Sequence, residues 1–266
     1  MLKPINFSFL KALTFLLIFF FHAAIVVGQQ VPEITWDKTY GGAIYDEANS
    51  IQQTSDGGYI VAGKSNKEQN YLIIKLDVSG NKVWDKTLGE GYGGANSIQQ
   101  TSDGGYIVAG IFDSDYWIIK LDVSGNIVWD KTFGGTSRDE ANSIQQTSDG
   151  GYIVAGYTWR YVNDGNNVVS GYLIIKLDSS GNKVWDKTYG GSSSDVATSI
   201  QQTSDGGYIV AGYTNSNDGD ISDGNNGYYD YWIIKLDGSG NKVWDKTYGG
   251  SSVDEANSIQ QTSDGG

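Results

Sequence analysis

The sequence predicts an all-β fold, a β-propeller of four-stranded antiparallel blades, and three observations predict it. The string TSDGG begins at Thr54, Thr101, Thr147, Thr203 and Thr262, and WDKT begins at Trp36, Trp84, Trp129, Trp185 and Trp244. Both series advance by 45 to 59 residues per step, a stride that matches one blade. Each unit resolves into four short segments separated by turn chemistry. The third segment is apolar on both sides of its pleat, as in a strand whose sheet is covered front and back.

The chain opens with a segment outside the repeats. Lys3 and Lys11 give a weakly basic start, Ala12 to Val27 is a nearly unbroken apolar run, and Val26 and Gly28 suit the small positions ahead of a signal-peptidase cut. This order predicts a signal peptide over residues 1–28 and a secreted or cell-surface chain over 29–266. The apolar run is shorter than the roughly 20 residues that span a bilayer, so no membrane insertion is expected after cleavage.

In the first unit the four segments are Ser50–Thr54, Tyr59–Gly63, Tyr71–Asp77 and Lys82–Thr87. The breaks Ser55-Asp56-Gly57-Gly58 and Ser79-Gly80-Asn81 supply side-chain caps and glycines able to take positive φ. The segments are rich in Tyr, Ile, Val and Trp and too short for a helix. In the third, Leu72, Ile74 and Leu76 point one way while Tyr71 and Ile73 point the other. The small residues Ala48, Asn49 and Ser50 precede the first segment, as expected where strands crowd around an axis. A β-solenoid is the competing architecture, but its coils run roughly 20–30 residues. Four complete repeats fall at about 50–94, 97–135, 143–191 and 199–250, with a fifth split between 34–42 and 258–266. In that split unit, Ile34–Thr39 is the expected outer strand and Ser258–Thr262 the inner one. The end at Gly266, inside a hairpin turn, reads as a C-terminally truncated repeat.

The string LDVSGNKVW at Leu76–Trp84 resembles the tryptophan-docking repeat of quinoprotein-type propellers. It recurs at Leu121–Trp129, Leu177–Trp185 and Leu236–Trp244, one residue shorter between aspartate and glycine than in that family. The resemblance implies that Trp36, Trp84, Trp129, Trp185 and Trp244 pack between blades. The whole unit is also similar to the DGGYIVAG…YWIIKLD repeats of secreted bacterial and archaeal surface proteins. That likeness implies fold and compartment, not activity.

Composition excludes several chemistries. There is no cysteine, and the only histidine, His22, lies in the predicted signal peptide, which removes the commonest nucleophile–base pairs from the mature chain. A net charge of −13 repels phosphate backbones, so nucleic acid is not an expected partner. No cofactor is expected, with calcium the one ion considered.

Connectivity assigns the loops to two faces. The TSDGG and SGN turns share one face and are nearly invariant between copies. Links between second and third strands vary in length (Lys64–Asn70, Ile111–Asp115, Tyr157–Gly171, Tyr213–Asp230) and share the other face with the links between units. Variation on one face over a constant scaffold points to ligand binding there. Trp159, Arg160 and Tyr161 read as exposed rings beside a polar hook, suited to a sugar, and Tyr228 and Tyr229 could serve likewise. The oxygen-rich run Asn217–Asn225 offers Asp218, Asp220 and Asp223 as calcium ligands, although it lacks the glycine and glutamate of an EF-hand loop. Asn163–Asn167 is a weaker version. Asp46, Asp139, Asp195 and Asp254, with Glu47, Glu140 and Glu255 after three of them, recur ahead of the inner strands. They read as loop caps, or as a ring at the channel mouth.

The expected function is a non-catalytic extracellular binding or adhesion module, with a glycan or a surface protein as partner. The alternatives are a structural spacer in a larger surface protein and a carboxylate-dependent glycoside hydrolase or polysaccharide lyase.

Overall fold

The structure is a computed structural model that describes residues 35–42, 45–65, 70–162 and 167–266. The predicted signal peptide and Ile34 lie outside the described residues, as do Asn163–Asn166. Among the described residues there is no helix, and so none that could cross a membrane.

Sixteen strands form four sheets, each an antiparallel meander in chain order. Blade 1 comprises β1 (Asp46–Gln53), β2 (Tyr59–Ser65), β3 (Asn70–Leu76) and β4 (Lys82–Leu88). Blade 2 comprises β5 (Gly93–Gln100), β6 (Tyr106–Phe112), β7 (Asp115–Leu121) and β8 (Ile127–Phe133). Blade 3 comprises β9 (Asp139–Gln146), β10 (Tyr152–Val162), β11 (Asn167–Leu177) and β12 (Lys183–Tyr189). Blade 4 comprises β13 (Asp195–Gln202), β14 (Tyr208–Thr214), β15 (Asp230–Leu236) and β16 (Lys242–Tyr248).

The core lies between blades. Tyr71 and Ile73 of blade 1 face Ala95, Ile98, Val108 and Ile119 of blade 2. Blade 2 turns its opposite face, with Tyr116 and Ile118, onto blade 3. Blade 3 does the same onto blade 4 through Tyr172 and Ile174. The third strands of blades 2 and 3 are therefore covered on both sides, as the sequence pattern requires, while Tyr231 on the outer face of β15 stays 39% exposed. The buried tyrosines carry a polar tip across the junction: the Tyr71, Tyr116 and Tyr172 hydroxyls donate to the carbonyls of Trp117, Leu173 and Trp232 at 2.9, 3.0 and 2.9 Å. Tyr116→Phe should destabilise the fold by about 1 kcal/mol, the usual loss when a buried hydrogen bond goes unmade. Urea unfolding checks this, with the solvent-facing Tyr161→Phe as the neutral control.

The inner strands begin earlier than the sequence suggests, at Asp46 rather than Ser50, because each carries a β-bulge. Ala48 pairs with Gly63 and Ser50 with Ala62, leaving Asn49 outside the ladder. The bulge re-aims its side chain. Asn49, Asn96 and Asn142 donate through Nδ2 to the carbonyls of Ala95, Ala141 and Ala197 in the next blade, at 3.0, 2.9 and 2.8 Å. The SIQQ string then clasps neighbouring inner strands. Gln52 Oε1 accepts from Gln100 N at 2.6 Å, and Gln100 Oε1 accepts from Ser55 N at 2.8 Å.

The tryptophans of the fourth strands dock forward. Trp84, Trp129 and Trp185 meet Tyr106, Tyr152 and Tyr208 of the next blade edge-on at 5.8, 5.7 and 5.9 Å. Their rings lie on Gly125, Gly181 and Gly240 of the next SGN turn, where a Cβ would stand about 3 Å away. Trp36 reaches Tyr59 and Gly80 in the same way. Trp244 is 44% exposed.

Segments 35–42 and 254–262 belong to none of the four sheets. The C-terminal segment nevertheless meets the inner strand of blade 4. Ile259 N and Gln261 N donate to Ser199 Oγ and Gln201 Oε1 at 3.2 and 2.6 Å, repeating the clasp of the complete blades.

The TSDGG turn proves to be a lysine cradle. Lys75 Nζ, almost wholly buried, meets Thr54 Oγ1 at 3.1 Å, Leu76 O at 3.0 Å and Asp56 Oδ2 at 2.9 Å. Lys120, Lys176 and Lys235 sit likewise against Asp103, Asp149 and Asp205. Gly57 takes a φ of 83°, open to glycine without strain, and a Cβ on Gly58 would stand 2.2 Å from Leu76 O.

Candidate functional site

One face of the blades carries the TSDGG and SGN turns with the same hydrogen bonds in every complete repeat. The other carries the β2–β3, β6–β7, β10–β11 and β14–β15 connections and the links between blades, and here the blades differ. Blade 2 turns through Asp113 and Ser114 at φ 49° and 77°, a tight two-residue hairpin. In blade 3 the hairpin runs on, pairing from Thr158↔Gly171 out to Val162↔Asn167. Blade 4 replaces the hairpin with a folded loop over 215–229.

The blade 3 ribbon separates the residues that the sequence groups together. Trp159, Arg160 and Tyr161 pair with Ser170, Val169 and Val168 in turn, so successive side chains alternate between its two sides. Trp159 and Tyr161 are 45% and 64% exposed. Arg160 points the other way, and its Nη2 donates to Gly191 O at 2.5 Å. The guanidinium therefore anchors the ribbon rather than standing beside the rings. In blade 4, Tyr228 is 62% exposed. Tyr229 is half-buried and packs edge-on between Tyr213 and Tyr228, at 5.1 and 5.5 Å.

The three candidate calcium ligands of the blade 4 loop do not converge. Asp218 Oδ1 accepts from Ser192 N at 2.7 Å, Asp220 Oδ2 from Gly190 N at 3.1 Å, and Asp223 pairs with Lys246 at 3.0 Å. Each carboxylate stitches the loop to a different neighbour. The Ser192 amide holds the Asp218 carboxyl below the usual aspartate range. The recurring link acids act as caps: Oδ2 of Asp46, Asp139, Asp195 and Asp254 accepts from the N–H of Gly42, Gly135, Gly191 and Gly250. Among the described residues no three acidic side chains gather closely enough to share a metal ion.

Sequence reasoning missed a cleft of about 370 Å³ where blades 1, 2 and 3 meet on the variable face, lined by Asn49, Lys64, Tyr92, Asn96, Arg138 and Glu140 among others. Glu140 Oε2 accepts from Arg138 Nη2 and the Tyr157 hydroxyl, both at 2.7 Å, and Oε1 accepts from Asn96 Nδ2 at 3.0 Å. Lys64 pairs with Glu47 at 2.8 Å, and that partner holds its ammonium above the usual range. Tyr92 is 74% exposed at the rim. The legible signal was the departure of these residues from the repeat: Tyr92 lies in the one link rewritten as GEGYGG, and Arg138 is one of only two arginines.

Comparison with solved structures decides the architecture. The chain is similar to the structure titled "Structure of Dos1 propeller", with a TM-score of 0.52 and 14% identity over 83% of this chain and 51% of that one. The fold is a β-propeller. A second solved structure, Sqt1 from Chaetomium thermophilum, aligns with a TM-score of 0.41 and 11% identity over 81% of this chain and 64% of its own. The chain thus spans about half the length of the Dos1 chain. No family model matches it, and no curated protein does.

Proposed function

We propose that this propeller is a non-catalytic binding module that presents its variable face to an extracellular glycan. The observation that carries the reading is the asymmetry of the two faces. One repeats the same turns, while the other bears loops of different length tipped by the exposed rings of Trp159, Tyr161 and Tyr228. Flat aromatic surfaces in a polar surround suit the C–H faces of sugar rings, with hydroxyls bonded at the rim. The cleft beside them offers charged and amide groups to that rim. Its acid, Glu140, already has both oxygens engaged by Arg138, Tyr157 and Asn96, which supports recognition rather than proton transfer. The signal peptide read from the sequence supports the extracellular setting.

Trimming the blade 3 ribbon separates this reading from a structural spacer. Replacing residues 159–170 by the Asp-Ser turn of blade 2 should abolish ligand capture while the circular dichroism spectrum stays that of a folded β protein. Unchanged capture by the trimmed chain would contradict the proposal.

A further inference from the structure

Blades 1, 2 and 3 each turn one face onto the next blade and close it with the same contacts. The third-strand tyrosines Tyr71, Tyr116 and Tyr172 are wholly buried, and their hydroxyls donate to third-strand carbonyls of the next blade, those of Trp117, Leu173 and Trp232. The fourth-strand rings of Trp84, Trp129 and Trp185 meet the tyrosine that opens the next second strand and lie on the glycine of the next SGN turn. At the last junction the Tyr189 hydroxyl donates to the carbonyl of that same glycine, Gly240. Each of these partners belongs to a second strand, a third strand or the turn that follows.

Blade 4 presents the same groups without those partners. Tyr231 stands where Tyr71, Tyr116 and Tyr172 stand, yet it is 39% exposed, and among the described residues its hydroxyl has no acceptor. Trp244 and Tyr248, in the places of Trp185 and Tyr189, are 44% and 56% exposed. An exposed aromatic patch of this kind marks an interaction surface.

The inner half of the same face is closed. Ile209 and Ala211 are buried, and segment 254–262 lies against β13. Thr198 Oγ1 donates to Ala256 O at 2.6 Å, and Gln261 Oε1 accepts from Ser204 N at 2.8 Å. Ser258 and Gln260 stand where Ser199 and Gln201 stand one repeat earlier, and those two pair with Ala211 and Ile209 of a second strand. Ser258 and Gln260 belong to no sheet. A further inner strand is thus in place on blade 4, beside three rings that elsewhere are covered by second and third strands and their turn.

We propose that this face of blade 4 docks a two-stranded β-hairpin of the same repeat, offered by a separate polypeptide. The first strand of the hairpin pairs with 258–262 and opens with a tyrosine beneath Trp244. Its second strand, apolar on both sides, brings a carbonyl to the Tyr231 hydroxyl, and its glycine turn receives Trp244 and Tyr248. The argument for this occupant is continuity: the surface is a fourth copy of an interface that the molecule closes three times within itself. Strand addition of this kind draws affinity from main-chain pairing and specificity from side-chain pockets. The surface is a blade face and not the variable loop face, so its role is independent of glycan binding.

A synthetic peptide of Tyr106–Asn126, the blade 2 hairpin with its SGN turn, tests the proposal. It is labelled with fluorescein and titrated with the folded chain Gln29–Gly266. Fluorescence anisotropy should rise and saturate. Trp244→Ala should weaken binding roughly tenfold or more, as loss of an aromatic anchor does. Tyr231→Phe should weaken it about fivefold, the worth of one hydrogen bond. Both side chains are exposed, and circular dichroism verifies that the variants fold. A peptide carrying Ile119→Asp should not bind, because Ile119 packs against Tyr71 and Ile73 in the matching junction. No saturable binding by the wild-type chain would overturn the proposal. Binding indifferent to either protein substitution would overturn it by placing the hairpin elsewhere, and equal binding of the Ile119→Asp peptide would reduce it to non-specific adsorption.

Discussion

Gly156→Ala should cost the fold about 3 kcal/mol or more, at the upper end of what overpacking does. A Cβ there would stand 2.0 Å from Glu140 O, 2.7 Å from the Tyr116 hydroxyl and 2.9 Å from Ala141 Cα. Two of these atoms are main chain, so relief requires moving the β9 bulge, not a flexible side chain. The third is the hydroxyl that ties blade 2 to blade 3 through Leu173 O. Repacking therefore disturbs a bulge and a junction together. Gly135→Ala is the control, since nothing lies within 4 Å of its added Cβ. It should change stability by no more than about 0.5 kcal/mol. Urea midpoints for the two variants make the comparison, and equal midpoints would contradict the packing described.

Acid should unfold the protein through the lysine cradles. The Thr54 hydroxyl, Lys75 and the Gly58 amide hold Asp56 at about 2, below its ordinary 3.8. For Asp103 and Asp149 burial pushes upward, but the hydroxyls of Thr101 and Thr147, the lysines and the glycine amides outweigh it and leave both at about 2. Asp205 is lowered further, chiefly by the Thr203 hydroxyl. A carboxyl depressed in the folded state contributes stability that is complete above its unfolded value, and loses it as pH falls through the folded one. The loss should fall between about pH 4 and pH 2. Asp115 and Asp195 act oppositely, because burial raises both, and their protonation offsets part of the loss. The four cradle aspartates are well exposed, which screens each pair, so the effect comes from their number. Asp103→Asn should lower the urea midpoint at pH 7 and flatten its decline toward pH 3. A variant curve parallel to that of the wild type would show that the cradle does not drive acid unfolding.

Much of this fold was legible because the chain repeats itself. The strides of TSDGG and WDKT gave the unit, and the two-sided Tyr71–Leu76 strand gave the stacking. Positions where neighbouring blades meet were harder to read. The bulge at Asn49 is a matter of register against Gly63, which no single strand displays. Lys75 was overlooked, although a lysine kept in the same apolar strand of all four copies is itself a signal of a buried partner.

The candidate site was legible only as loop variation. Trp159, Arg160 and Tyr161 are adjacent in sequence, but strand alternation turns the rings outward and the guanidinium inward. Asp218, Asp220 and Asp223 alternate like calcium ligands, yet each is drawn to a different partner by tertiary contacts. What distinguished Arg160 was visible only across copies: it appears in the one blade where glycine, Gly171, replaces the aspartate or asparagine (Asn70, Asp115, Asp230) that precedes the apolar run of the third strand.

The most direct test of the account is a glycan-array screen of Gln29–Gly266 beside Trp159→Ala, after circular dichroism has shown both to be folded. Binding by the wild type that is lost in the variant is the predicted result, because it locates recognition on the ring-bearing ribbon of blade 3. No binding by a folded wild type, or binding indifferent to Trp159, would contradict the assignment of the variable face as the glycan site.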